Sequence, residues 1–228
     1  MDDTDALKKM AAEAAVTYVK NGDVIGLGTG STARYVVQAL AQRMREGLHV
    51  KGVPTSQQTA DLARESGIPI VEGGESWVLT VAIDGADQVD PRFNLIKGGG
   101  GALLKEKIVA AAAGQVIIVV DHTKRVPVLG HSFPLPVEVA PFGWGCTARH
   151  IEKLGVKAVI RQYNGRYFQT EMGHYILDLH IDRIGDPAYL EARLNEIPGV
   201  VETGLFVGRT DVLIVGTPAG VEVHKATK

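Results

Sequence analysis

Short apolar runs alternate with amphipathic stretches through the first half of the chain. Leu7, Met10, Ala11, Ala14, Tyr18 and Val19 recur at helical spacing, and Asn21-Gly22 ends that helix. Val24 to Leu27 reads as a buried strand. A glycine-containing loop follows, then a helix with Ala33, Val36, Val37, Leu40 and Met44 on its inner face, closed by Gly47. Val50 to Val53 is the next strand, and Pro54-Thr55-Ser56 turns into a helix through Leu62 and Ala63 that stops at Gly67. Further strands are expected at Ile68 to Val71, Val78 to Ile83 and Val116 to Val120, with a helix from Ala102 to Ala113. Strands that are apolar on both faces and alternate with helices predict a parallel sheet covered on both sides.

The pattern changes after Lys124. Pro127, Pro134, Pro136 and Pro141 punctuate a stretch that reads as a crossing between domains. Beyond it lie a strand around Val137, a helix from Cys146 to Leu154 and a strand from Val156 to Arg161, with a turn at Asn164-Gly165. Tyr175, Leu177, Leu179 and Ile181 share one face of another strand; a helix covers Ala188 to Glu196, and a strand runs from Val200 to Phe206. That order is β-α-β-β-α-β, the ferredoxin-like split unit. Val212 to Val215 is apolar throughout, like the strands of the first half, and is placed back in the parallel sheet. The expected organisation is therefore an α/β Rossmann-like domain, 1–129 and 207–228, carrying an inserted ferredoxin-like α+β domain at 130–206.

Composition narrows the function classes. The 228 residues are 45% hydrophobic and 22% charged, which excludes a disordered chain. Lys and Arg number 24 against 26 acidic residues, so no basic excess exists to neutralise a nucleic-acid backbone. The longest aliphatic runs, such as Val116 to Val120, fall far short of the ~20 residues of a membrane span. The N-terminus, Met1-Asp2-Asp3-Thr4-Asp5, is acidic where a secretory signal is basic and then apolar. The single cysteine, Cys146, excludes an internal disulfide. A cytoplasmic protein is expected, with no nucleic acid and no membrane among its partners.

Polar residues cluster just after the strands. Gly28-Thr29-Gly30-Ser31-Thr32 follows the first, Thr55-Ser56 the second, Asp84-Gly85-Ala86-Asp87 the strand ending at Ile83, and Asp121 to Lys124 the strand ending at Val120. In a parallel sheet the carboxyl ends share one edge, and ligands bind there. The Gly28–Thr32 loop suits a phosphate cradle, because backbone N–H groups and a helix N-terminus favour an anion. It equally suits a helix capped by Ser or Thr after a tight turn. Gly26-x-Gly28-x-x-Ser31 lacks the third glycine of a dinucleotide fingerprint, and no Walker lysine follows. Asp84 and Asp87 flank a Gly-Ala turn; they suit sugar hydroxyls, proton exchange or magnesium, or simply local turn hydrogen bonds. Asp90 before Pro91 reads as turn initiation.

Lys97-Gly98-Gly99-Gly100-Gly101 places a cation beside four glycines whose ordering is costly in entropy. Wrapping a ligand explains such a run; a flexible surface loop is the alternative. Glu106 lies early in the next helix, either as a dipole partner or directed to the same sheet edge. Lys124 is a further cation there. None of the seven histidines forms a metal-binding pair, no Gly-x-Ser-x-Gly elbow occurs, and Cys146 is expected to be buried away from the site. The residues alone support metal-free acid–base chemistry on a small phosphorylated metabolite, using Asp, Glu and Lys, without choosing the reaction.

The ordered set closely resembles ribose-5-phosphate isomerase of the A type. It comprises Gly28 to Thr32, Asp84 to Asp87, Lys97 to Gly100, Glu106-Lys107 and Asp121-x-x-Lys124, with Phe133 to Val139, Ile197 to Val201 and Gly204 to Phe206. No departure from the family pattern occurs at these positions. The resemblance implies interconversion of ribose 5-phosphate and ribulose 5-phosphate with no cofactor and no metal. It implies Glu106 as the base that moves a proton between C2 and C1, Asp84 as an aid to ring opening, and Lys97 as the stabiliser of the enediolate oxygen. Thr29, Gly30, Ser31, Thr32 and Lys124 would contact substrate and phosphate. Asp84, Gly85, Ala86, Asp87, Lys97, Gly98, Gly99 and Gly100 would line the substrate. The resemblance also implies a homodimer or tetramer. Two other functions remain on this fold class: a non-catalytic sugar-phosphate sensor and a coenzyme A transferase-like enzyme.

Overall fold

The computed structural model describes residues 3–71 and 76–226. Met1 and Asp2 of the acidic start, and the last two residues of the 207–228 segment, lie outside them. The chain divides into two compact units: Met1–Ala86, Lys105–Lys124 and Arg209–Lys228 form the first, Asp87–Leu104 and Arg125–Gly208 the second.

In chain order, α1 (Asp3–Ala15), β1 (Val24–Leu27), α2 (Ser31–Arg45), β2 (Lys51–Pro54), α3 (Gln57–Glu65) and β3 (Val81–Asp84) come first. Then come β4 (Gln88–Val89), β5 (Leu95–Ile96), α4 (Leu103–Ala112) and β6 (Val116–Asp121). A long excursion carries β7 (Leu135–Val139), α5 (Trp144–Glu152), β8 (Lys157–Ile160), β9 (Gln162–Tyr163), β10 (Arg166–Tyr167) and β11 (Tyr175–His180). It continues through α6 (Pro187–Asn195), β12 (Val200–Thr203) and β13 (Leu205–Phe206), and the chain ends with β14 (Val212–Thr217) and β15 (Gly220–Lys225).

The first unit is built on a six-stranded sheet in the order β15-β14-β6-β3-β1-β2. Every neighbouring pair is parallel except β14 with β15. Alternation along the strands feeds two helix layers. Ile25, Leu27, Val81, Ile83, Ile117, Val119, Val212 and Ile214 pack with Ala11, Val36, Val37 and Leu40 of α1 and α2. Ala82 and Val53 face the other way, onto Val109 of α4. Each such aliphatic side chain, fully buried, contributes about 1.5–3 kcal/mol. At Gly26 the approach of α4 is so close that a Cβ would lie 2.4 Å from Val109 Cγ1. This is the Rossmann-like α/β architecture that the alternation predicts, and β14 does return beside β6.

The second unit contains a four-stranded antiparallel sheet in the order β12-β7-β11-β8. With α5 and α6 it completes the β-α-β-β-α-β unit over a core that includes Leu135, Val137, Ile151, Leu177, Leu179 and Leu194. The Asn164-Gly165 turn forms the β9–β10 hairpin, both residues at positive φ (50° and 75°). The unit contains the whole of 130–206 and also takes in 87–104, because β5 pairs with β13 through Leu205 and Ile96. The Gly130 N–H donates to Gln88 Oε1 at 2.8 Å and the Val126 N–H to the Val89 carbonyl at 2.9 Å, tying the same segments.

Four expectations are corrected. Among the described residues Ile68 to Val71 makes a single bridge, Gly52 with Ile70; Pro69 has no N–H to continue the ladder. The strand expected from Val78 begins at Val81, and Val78 is 90% exposed. The strand expected from Val200 to Phe206 breaks at Gly204, where the chain passes from the four-stranded sheet to a small β13-β5-β4 sheet. Cys146 is exposed rather than buried, because α5 turns Thr147, Ala148 and Ile151 inward.

Candidate active site

In the first unit the loops after β1, β2 and β3 are stitched together. The N–H groups of Thr29 and Gly85 both donate to Asp84 Oδ1, at 3.2 and 2.7 Å. Charged acceptors strengthen such bonds about twofold, so the loop fixes the carboxylate as firmly as the carboxylate fixes the loop. Gly28 is obligatory: a Cβ there would sit 1.9 Å from Asp84 Oδ1. Thr55, 1% exposed, donates from Oγ1 to the Leu27 carbonyl at 3.1 Å, and its Oγ1 lies 2.7 Å from Thr29 Oγ1. Ser56 caps α3 by accepting the Thr59 N–H at 3.2 Å, and Thr59 Oγ1 donates to the Gly28 carbonyl at 2.8 Å.

The start of α2 bears on the capped-helix reading of the Gly28–Thr32 loop. Its cap is Gly30, at φ 96° and ψ −169°, with no side-chain cap bond. Only glycine occupies that conformation freely. Ser31 is the first helical residue and exposed, while Thr32 is buried against Gly85. The helix N-terminus is therefore not capped by a side chain of this loop.

Glu106 occupies the first turn of α4 and is 6% exposed. Its neighbour Lys107 is buried as well. Asp121 ends β6 and is buried, accepting the Thr123 N–H at 2.9 Å; this bond shapes the short 3₁₀ turn His122–Lys124 that carries the half-buried Lys124.

In the second unit Lys97 is 4% exposed, with Nζ 5.5 Å from the centre of the Phe206 ring, a cation–π distance. Its N–H donates to the Gly204 carbonyl at 2.9 Å. A Cβ at Gly204 would come within 2.4 Å of the Lys97 carbonyl, so this glycine lets two backbones touch. The Gly98–Gly101 run is an ordered turn. The Gly101 N–H closes onto the Gly98 carbonyl at 3.0 Å, and the Gly99 N–H donates to Asp87 Oδ2 at 2.8 Å. Asp90 initiates the β4–β5 turn, accepting the N–H groups of Arg92 and Asn94 at 2.8 and 2.9 Å. Among the described residues no group of three or more His, Cys, Asp and Glu side chains is arranged to hold a metal ion. No helix among them is long and apolar enough to cross a membrane.

Comparison with known proteins places these loops in a family. Residues 51–220 match the model of ribose 5-phosphate isomerase A (phosphoriboisomerase A). The chain is 53% identical over 222 residues to ribose-5-phosphate isomerase A of Gloeobacter violaceus, covering 97% of this chain and 96% of that protein. The chain belongs to the ribose-5-phosphate isomerase A family. Its Methanothermobacter thermautotrophicus relative is 49% identical, with 95% of this chain and 96% of that protein covered. Among solved structures, a D-ribose-5-phosphate isomerase in complex with phospho-erythronic acid superposes with a TM-score of 0.94 at 40% identity, covering 98% and 99% of the two chains. The Methanocaldococcus jannaschii ribose 5-phosphate isomerase A gives a TM-score of 0.92 at 42% identity, covering 96% and 98%. Neither the sensor nor the transferase reading is favoured by these matches.

Two contributors to the isomerase-family loops escape a sequence reading. Thr59 supports the Gly28 carbonyl from inside α3, where a threonine on an amphipathic face carries no signal. Arg161 follows β8 and donates from Nη1 to the carbonyls of Gly98 and Gly99 at 2.9 and 3.0 Å. Nothing in the sequence links it to a glycine run some sixty residues earlier.

Proposed function

We propose that this chain interconverts D-ribose 5-phosphate and D-ribulose 5-phosphate in the non-oxidative pentose phosphate pathway, with no metal or cofactor. Membership of the family along the length of the chain carries this reading. Glu106 removes the proton from C2 of the open-chain aldose and returns it to C1, while the hydroxyl proton on O2 ends on O1. A single carboxylate serves both carbons. The enediolate formed between these steps carries negative charge on oxygen. The Lys97 ammonium stabilises it, and losing one preorganised donor of that kind typically lowers the rate about 10²–10³-fold. Asp84 assists opening of the sugar ring.

Thr29, Gly30, Ser31 and Thr32, with Lys124, contact the substrate and its phosphate. The glycine cap of α2 supports this assignment, since no side chain caps that helix N-terminus. Gly85, Ala86, Asp87, Gly98, Gly99 and Gly100 complete the substrate segments. Phosphate binding, remote from the reacting carbons, supplies energy for positioning them. The working form is proposed to be a cytoplasmic homodimer, or a tetramer, which light scattering reads directly.

The test is a coupled assay on purified chain with ribose 5-phosphate in the presence of EDTA, and in deuterium oxide. Turnover that survives chelation, with solvent deuterium in the product, is expected. No turnover of ribose 5-phosphate, or an acyl-enzyme trapped by hydroxylamine, would contradict it.

A further inference from the structure

The Gly98–Gly101 turn has no side chains with which to order itself, yet it is held on one side by a single guanidinium. Arg161 Nη1 donates to two successive carbonyls, Gly98 at 2.9 Å and Gly99 at 3.0 Å. The guanidinium is itself clamped. Nε and Nη2 form a two-bond fork with the Asp178 carboxylate at 2.9 and 2.5 Å, and the guanidinium carbon lies 5.8 Å from the centre of the Phe168 ring. The edge of that ring closes against Gly101, where a Cβ would meet Phe168 Cε1 at 2.5 Å. The backbone of Arg161 is pinned as well: its N–H donates to the Ile176 carbonyl at 2.8 Å, and its carbonyl accepts the Phe168 N–H at 2.9 Å.

These bonds set two peptide planes. The plane between Gly98 and Gly99 is fixed at both edges, its carbonyl on Arg161 and its N–H on Asp87 Oδ2 at 2.8 Å. The plane between Gly99 and Gly100 has its carbonyl on Arg161. No peptide bond among the described residues is cis, and in a planar trans peptide the N–H points opposite to the carbonyl. The Gly100 N–H is therefore turned away from Arg161, on an exposed part of the turn.

We propose that Arg161 is a positioning residue for the isomerase reaction, orienting the Gly99–Gly100 peptide so that the Gly100 N–H is a preorganised donor to a substrate oxygen. The inference rests on the isomerase reading above, in which Lys97 to Gly100 bind substrate. Arg161 acts through the loop backbone and Asp178 acts through Arg161. A lysine cannot replace this function, because a point charge does not present a planar fork to a carboxylate and two carbonyls at once.

The experiment compares wild type with Arg161→Lys and Arg161→Ala by steady-state kinetics on ribose 5-phosphate, amide hydrogen exchange and guanidinium rescue. The expected result is a kcat lowered on the order of 10²-fold in both variants, the cost of a misplaced group. Exchange should quicken in a peptide spanning 97–103 and stay native in peptides from β7 and β11. Added guanidinium should restore part of the kcat of Arg161→Ala, which a merely structural loss would not show. Wild-type kcat in either variant, a lowered kcat with native exchange at 97–103, or failure of both variants to fold would overturn the proposal. An inactive wild type would instead sink the isomerase reading itself. The exchange measurement needs no substrate and reports on the loop in either case.

Discussion

Thr29 donates its backbone N–H to the Asp84 carboxylate at 3.2 Å, joining two strand-end loops 55 residues apart in the chain. The same oxygen takes the Gly85 N–H at 2.7 Å. A carboxylate held by two backbone donors cannot swing, so its position is a property of the parallel sheet: β1 and β3 are neighbours, and their carboxyl ends meet. Parallel pairing thus turns a sequence separation of dozens of residues into a hydrogen bond.

Gly28→Ala should damage this arrangement at its tightest point. The new Cβ would lie 1.9 Å from Asp84 Oδ1, and the backbone on both sides is in hydrogen bonds. Overpacking of this kind costs about 1–3 kcal/mol. Urea denaturation should show that loss, and turnover of ribose 5-phosphate should fall more than stability does, because the displaced group is Asp84.

Asp84→Asn separates charge from shape. The amide oxygen can still accept from Thr29 and Gly85, so stability should drop by only ~1 kcal/mol. Turnover should fall by about 10²-fold or more if the carboxylate aids ring opening by proton exchange. An open-chain analogue that needs no ring opening should lose much less, and comparing the two substrates checks the assigned step.

Thr55→Val removes a buried hydroxyl that bridges Thr29 Oγ1 and the Leu27 carbonyl. The shape is kept, so the loss is that of the hydrogen bonds, about 1–2 kcal/mol. The KM for phosphosugar should rise, since Thr29 belongs to the proposed phosphate loop, while kcat should change little. A lowered kcat with unchanged KM would move Thr55 away from that role.

Much of the architecture was readable because it depends on local pattern. Apolar runs such as Val116 to Val120 became buried strands, and Gly47 and Gly67 ended their helices at positive φ of 101° and 80°; the first helix instead ends at Ala15 and passes through a 3₁₀ turn, Val16–Tyr18, before Asn21-Gly22 is reached. The split β-α-β-β-α-β order was likewise carried by alternation along β11 and the Asn164-Gly165 turn. What stayed hidden depends on pairing at a distance. Strands β4, β5 and β13 are two residues each, too short to show a period, and exist because Ile96 meets Leu205.

The chemistry shows the same division. Asp84, Lys97 and Glu106 stand out through their loops, and all three are buried. Ser31 and Thr32 suggested a capped helix, yet the cap is Gly30, because the strained backbone there admits only glycine. Cys146 was expected inside because free cysteines usually are; one position along α5, Thr147 took the inward place instead. Arg161 left no trace, since a lone arginine after a strand is ordinary until its partners are known.

Glu106 is the one group proposed to carry the proton. Glu106→Gln keeps the size of the side chain and removes the base. Steady-state turnover of ribose 5-phosphate, measured beside calorimetric binding of phospho-erythronic acid, tests this most directly. The predicted result is a rate lower by ~10²–10⁴-fold with binding retained. A Glu106→Gln variant that turns over ribose 5-phosphate at the wild-type rate would contradict it.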